Sequence, residues 1–205
     1  AWPSVGGALP VERVAGLPPP LLRRWVLELA SRLPLAEPPS RQQLEAVRAM
    51  LVGGSPAAVD LGRRWVLRRR GDVLVLCPPP LRAFGPHPAV VPSRVELPGG
   101  FVASLGASGC RADHSARLHP RVAESHLEWH SVTPGERFGG GGERTVVRLL
   151  ARARVPAEWR RAWPVLNADG RMVWLPAVGV AEGWTGDDTD GVVANLEEPW
   201  ERHVK

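Results

Sequence analysis

The chain has 205 residues, 44% hydrophobic and 23% charged, with a formal net charge of +5; this is enough apolar material for one large or two small domains and too much for a disordered chain. No apolar run reaches the roughly 18 residues of a membrane span, the opening AWPSVGG lacks the basic-then-apolar layout of a secretory signal, and Cys77 and Cys110 are too few for a disulfide framework. A protein of the reducing cytoplasm is expected.

Residues 1 to 16 read as irregular. In LPPPLLRRWVLELASRL, prolines suit a first helical turn and Leu21, Leu22, Trp25, Val26 and Leu29 recur at helical spacing, predicting a helix over about 19 to 33. After PLAEPP, the run Ser40-Arg41-Gln42-Gln43 has the form of a capping box, and Leu44, Val47, Met50 and Leu51 supply an apolar stripe, predicting a helix over about 41 to 52. The runs AVDL, RRWVLRRR and DVLVLC, parted by Gly62 and Gly71-Asp72, predict a small β-meander. Residues 78 to 120 are rich in Pro and Gly and read as a linker passing into irregular β structure.

HLEWHSV alternates and predicts a strand leading into the turn TPGER. A helix over about 143 to 153 should follow, then one or two helical turns over 156 to 161. The runs WPVL and RMVWLPAV flank Asn167-Ala168-Asp169-Gly170, a hairpin signal. The acidic, Gly-rich tail after Trp184 is expected to be only partly ordered. The fold class that results is α+β with two small domains: 1–78, a linker 79–125, and 126–205.

Lys205 is the single lysine among the 26 basic residues, so the positive charge is arginine. Glu136 to Arg171 contains eight arginines against four acids, whereas Met172 to Glu201 contains seven acids and no Lys or Arg. A basic surface with an acidic tail is implied, and the basic surface suggests a polyanionic partner.

The segment FGGGGERTVVRLLARARV raises the question of a nucleotide loop. A Walker loop requires a lysine that reaches the phosphates, and none precedes Lys205. A dinucleotide loop begun at Gly139 or Gly140 has Arg144 or Thr145 in place of its last glycine. What remains is the helix, where Arg144, Arg148 and Arg152 at i, i+4 and i+8 form one ridge beside the stripe Val146, Leu149, Leu150 and Ala153. Like charges in such a row repel by a few tenths of a kcal/mol per pair, and a polyanion would relieve them. The bland reading is a solvated amphipathic face; backbone N–H groups of the glycine loop tilt the choice toward phosphate.

Cys110, His114, His119, His126 and His130 could be drawn into a zinc set, but His126 and His130 lie four residues apart on a predicted strand, about 13 Å, too far to share one ion. Surface histidines are the preferred reading, and no metal ligands are assigned. H-x-E with P-C-x-x-C, G-x-S-x-G and H-E-x-x-H are absent. Cys77 reads as a small buried residue rather than a nucleophile, and Asp187, Asp188 and Asp190 as solvating charge. Trp25, Trp65 and Trp174 read as core, while Trp159 and Trp163, interleaved with Arg160 and Arg161, could pack or stack on bases.

TPGERFGGGGERTVVRLLARARVPAEWRRAWPVLNADGRMVWLPAVGV resembles the C-terminal domain of the tRNA(Ile)-lysidine synthetase (TilS) family. The matching pieces are Pro134-Gly135-Glu136-Arg137, Gly139 to Gly142, Arg144 to Leu150, Val155-Pro156 with Arg160, Pro164-Val165-Leu166 and Val173-Trp174-Leu175-Pro176. LLRRWVLEL, PSRQQLEAV and DLGRRWVLRRRGDVLVL resemble the family's middle, substrate-binding domain, with Arg23, Arg24, Arg41 and Arg68 in similar places. The resemblance implies an enzyme that uses ATP to join lysine to the wobble cytidine of an isoleucine tRNA with a CAU anticodon. Its chemistry, with ATP and Mg, resides in an N-terminal PP-loop domain carrying S-G-G-x-D-S.

That motif is absent and the chain begins with Ala1, which is expected of a non-catalytic, separated C-terminal portion. Arg137, Arg144, Arg148 and Arg160, with Arg152 and Arg161 beside them and Arg23, Arg24, Arg41 and Arg68 in the first half, are then the expected tRNA-backbone contacts or supports. The other partner expectations are no membrane and a homodimer left open. The second reading is a stand-alone RNA-binding or protein-interaction module without catalysis.

Overall fold

The computed structural model describes residues 8–33, 35, 37–53, 56–106, 112–139, 145–187 and 190–199. These form two compact units, residues 8–80 with 156–158, and residues 81–155 with 159–199. The class is α+β.

The first unit runs β1 (Ala8–Pro10), α1 (Glu12–Ala15), α2 (Pro19–Ser31), α3 (Arg41–Leu51), β2 (Ala58–Gly62), β3 (Trp65–Arg70) and β4 (Val73–Cys77), with an antiparallel sheet in the order β1-β4-β3-β2. Prolines at its first positions start α2, and Leu22, Trp25, Val26, Leu29 and Ala30 are its buried side. The capping box of α3 is present: Gln43 N–H donates to Ser40 Oγ (3.3 Å) and Ser40 N–H to Gln43 Oε1 (2.7 Å). In the strands the alternation buries Val59, Leu61, Trp65, Leu67, Leu74 and Leu76 together with Val47, Met50 and Leu51 of α3.

Arg69 closes the end of α3 from the sheet. Its Nη1 donates to Met50 O (2.9 Å) and Leu51 O (2.8 Å), two carbonyls a helix end leaves unpaired, and its Nε to Gly71 O (2.9 Å). The β3–β4 turn has Gly71 at φ 60°, a position open to glycine at no steric cost. Residues 8–15 are not irregular as expected: β1 adds an edge to β4, Val11 N–H donates to Asp72 O (2.8 Å), and Val14 is buried. Residues 1–7 lie outside the described residues.

Cys77 is buried at the end of β4, and burial pushes its thiol above the usual thiol range. Because the folded-state value is raised, its contribution to stability is complete below the ordinary thiol pKa and is lost as pH rises through the folded value. Alkylation of Cys77 by iodoacetamide near pH 8 should therefore proceed only as fast as the first unit opens. A rate matching that of a free thiol would contradict the burial.

The second unit contains β5 (His87–Ala89), β6 (Ser93–Glu96), β7 (Val102–Leu105), β8 (His114–Leu118), a 3-10 turn (Pro120–Glu124), β9 (Leu127–Ser131), α4 (Val146–Arg152), β10 (Pro164–Ala168), β11 (Arg171–Leu175), β12 (Gly179–Val180) and β13 (Val192–Glu197). Among the described residues they form two antiparallel sheets, β12-β11-β10-β9-β5 and β6-β7-β13-β8. The predicted linker thus supplies β5 to β8. The hairpin at Asp169-Gly170 is as predicted, with both residues at positive φ (50° and 73°), the type I′ arrangement. Asp169 is also tied to His126, just before β9: its backbone N–H donates to His126 O and its side-chain Oδ1 accepts from His126 N–H, both at 2.9 Å.

Trp163 joins the two sheets. Fully buried, it packs edge-to-face on Phe101 before β7 (5.5 Å) and on His114 of β8 (5.5 Å), and its Nε1–H donates to Pro176 O (3.0 Å). Trp159 meets Phe101 (6.3 Å), and Trp129 meets Trp174 (5.7 Å). The reading of Trp159 and Trp163 as base-stacking side chains is excluded by their burial at 2% and 0% exposure.

The tail expectation is also corrected. β13 lies between β7 and β8, with Ala194, Asn195 and Leu196 buried, and Asn195 bonds both neighbours through Ser115 Oγ (2.7 Å) and Ser104 Oγ (3.4 Å). Three acids of the tail are in use: Glu197 pairs with Arg94 (2.9 Å), Glu198 with His114 (2.6 Å), and Asp187 Oδ1 accepts from Asp190 N–H (3.0 Å). A Cβ on Gly186 would stand 2.3 Å from Leu118 O, so only glycine fits where the chain enters this strand.

Candidate nucleic-acid interface

The basic helix is held by the turn before it. Glu136 Oε2 accepts from Thr133 N–H (2.8 Å) and Thr133 Oγ1–H (2.9 Å), closing the TPGER turn on itself. Glu136 O accepts from Val146 N–H (2.9 Å), and Arg137 bridges to Thr145, so the two ends of the glycine loop are pinned together. The acid of this turn is a clamp. Its other oxygen lies 3.7 Å from Nε2 of His130, whose Nδ1 contacts Ser131 O (2.9 Å). His130 and His114 are half-buried with acidic neighbours, so the surface-histidine reading holds only for His119 and His126, which are exposed.

Helix α4 has seven residues, not the eleven of the predicted span 143–153. Its apolar side buries Val146 and Leu150, while Arg148 and Arg152, one turn apart, are exposed. No acid occurs in α4, and neither arginine makes an ion pair among the described residues. Among the described residues this pair of like charges has no acidic partner.

The helix stops in a Schellman arrangement, with Val155 N–H donating to Leu150 O (2.9 Å) and Arg154 N–H to Ala151 O (3.2 Å). Arg154 takes the left-handed position (φ 64°) where glycine is usual, is exposed, and adds a cation that the spacing argument did not select. No sequence signal marks it, since arginine is not a residue expected at such a stop.

The other anticipated contacts divide by exposure. Arg137 and Arg161 are exposed; Arg160 is half-buried, and its Nε–H donates to Val155 O (2.9 Å), bracing the segment after α4. Arg144, Cys110 and Gly140 to Gly142 lie outside the described residues. In the first unit, Arg23 and Arg24 on α2 and Arg41 at the start of α3 are exposed, and Arg68 on β3 is half-buried. Arg23 and Arg41 meet at a cleft of about 910 Å³ between α2 and α3, joined by Arg48, which lies seven residues after Arg41 and so on the same helix face. That i+7 spacing was the available signal for Arg48.

Among the described residues, no group of three or more His, Cys, Asp or Glu is disposed to hold a metal ion, and no helix is long and apolar enough to cross a membrane. What the surface offers chemically is guanidinium: planar donor forks with fixed charge, suited to phosphate oxygens.

Residues 128–196 match the family model described as "TilS substrate C-terminal domain", a span that runs from β9 to β13 and includes α4. A solved chain described as "Crystal structure of TILS C-terminal domain" is similar at 16% identity and a TM-score of 0.46, covering 57% of this chain and 98% of that one. No curated protein matches the chain. With the clamp, the basic helix and the hairpin all inside the matched span, the chain carries a TilS-family C-terminal region.

Proposed function

We propose that this chain is the tRNA-binding part of a tRNA(Ile)-lysidine synthetase, acting in the cytoplasm on the CAU-anticodon isoleucine tRNA. The observation that carries the reading is the pair Arg148 and Arg152, exposed on α4 inside the matched TilS region and without an acidic partner among the described residues. Arg137 and Arg161 on the same unit, with Arg144 four residues before Arg148 in the sequence, extend the basic run. The mechanism is electrostatic positioning. Arginines neutralise phosphates and release counterions, which fixes the tRNA without reading its sequence. In this proposal the joining of lysine to the wobble cytidine, with ATP and magnesium, belongs to a PP-loop domain, whose S-G-G-x-D-S motif these 205 residues lack.

The test is a salt titration of tRNA binding. Arg148→Gln with Arg152→Gln should weaken binding and flatten the dependence of log affinity on log salt by roughly 1.5 units, while the melting temperature stays within a degree or two. Binding and slope equal to wild type would remove α4 from the interface. A wild-type chain that fails to bind tRNA at low salt would overturn the assignment in favour of a protein-interaction module.

A further inference from the structure

The β2–β3 turn places two arginines in a backbone conformation that arginine disfavours. Gly62 pairs with Trp65, so the loop is Arg63 and Arg64 alone, at φ 47° and φ 65°. Positive φ at both central positions is the type I′ geometry. Asn-Gly and Asp-Gly are its usual occupants, because a larger residue crowds its Cβ against the backbone there. The chain does not lack glycine, with 22 in all, and its other two-residue turns use Gly71 and Gly170.

Among the described residues nothing local compensates the two arginines. Both are exposed, and neither makes a hydrogen bond or ion pair among the described residues. The contrast with other arginines is informative. Arg154 is also left-handed, but it stands at a helix C-terminus, whose carbonyls attract a cation. Arg69, a few residues along β3, spends its guanidinium on three carbonyls.

The base of the turn is nevertheless held. Asp60 Oδ1 accepts from Gly62 N–H (2.7 Å), and Gln43 Nε2–H donates to Asp60 O (2.7 Å), tying the hairpin to the first turn of α3, where Arg41 is exposed. Strain and like-charge repulsion persist at such a position when the paired side chains are used by a ligand. Two adjacent guanidinium forks on a firm tip suit consecutive phosphates of a nucleic-acid backbone.

We propose that the Arg63-Arg64 turn is a phosphate-gripping tip by which the first unit holds the backbone of RNA. This rests on the tRNA-binding reading above and adds a contact in the other unit, away from α4 in sequence. The test is Arg63→Asn with Arg64→Gly, which installs the favoured turn pair and so does not endanger folding. The variant should melt several degrees higher than wild type and bind tRNA roughly three- to tenfold more weakly, with a salt slope flatter by about 1.5 units. Arg63→Gln with Arg64→Gln, which removes charge and retains side chains in the turn, should weaken binding similarly without the thermal gain.

A more stable Asn-Gly variant that binds tRNA as wild type does overturns the inference and leaves the α4 reading standing. A variant no more stable than wild type overturns the claim that stability is given up at this turn. Absence of tRNA binding by the wild-type chain removes both readings together.

Discussion

A chain ended after Trp184 should lose the cooperative fold of the second unit. β13 is an interior strand: it supplies the ladder to both β7 and β8, buries Ala194, Asn195 and Leu196, and satisfies the hydroxyls of Ser104 and Ser115. Removing it opens two strand edges and unseals one sheet. The loss is comparable with the whole stability of a domain, about 5–15 kcal/mol. Amide exchange would report it, since the amides of β7 and β8 should exchange at rates near those of an unfolded chain. The single substitution Gly186→Ala should act in the same direction, because its Cβ would overlap Leu118 O and displace the entry to the strand. A truncated chain with protected β7 amides and an unchanged melt would show the tail to be dispensable.

The second large effect is expected at Trp163. Trp163→Ala should cost about 3–5 kcal/mol, the usual range for emptying a buried tryptophan site. The loss is of contact with Phe101 and His114 across two sheets. Trp163→Phe keeps an aromatic ring and gives up the hydrogen bond to Pro176 O, so it should cost less, about 1–3 kcal/mol. Urea unfolding followed by circular dichroism separates the two. At temperatures where Trp163→Phe remains folded, tRNA affinity should equal that of wild type. A variant with a normal melt and lost affinity would mean that the indole stacks on a base after all.

The elements legible in the sequence are those specified by neighbours in the chain. The Ser40-Gln43 capping box, the Leu22-to-Leu29 stripe and the Asp169-Gly170 turn are each complete within a few residues, and each folds as its pattern states. β13 was hidden because its partners lie far away. Glu197 and Glu198 belong to an acidic tail in the sequence, and only the fold brings them to Arg94, 103 residues earlier, and His114, 84 residues earlier. β5 to β8 are short strands among Pro and Gly, and local propensity there is outweighed by pairing with β7, β9 and β13.

The candidate interface was readable in part for the same reason. Arg148 and Arg152 share a face by helical spacing, which the sequence carries. The left-handed backbones of Arg63, Arg64 and Arg154 break local preference, and such departures become visible only in coordinates. Arginine count alone also overstates the free charge, since Arg69, Arg94 and Arg160 are engaged with carbonyls or a carboxylate.

The position of β13 between β7 and β8 has a consequence for synthesis on the ribosome. β8 is complete at Leu118 and β13 begins at Val192, so at ordinary rates of elongation β7 and β8 wait on the order of ten seconds for the strand that joins them. Until then each has an unmet edge, and a nascent second unit is open to pairing with other chains. Slowed translation between those positions should therefore lower the yield of folded protein, while the first unit, whose strands are all complete by Cys77, gains time to form.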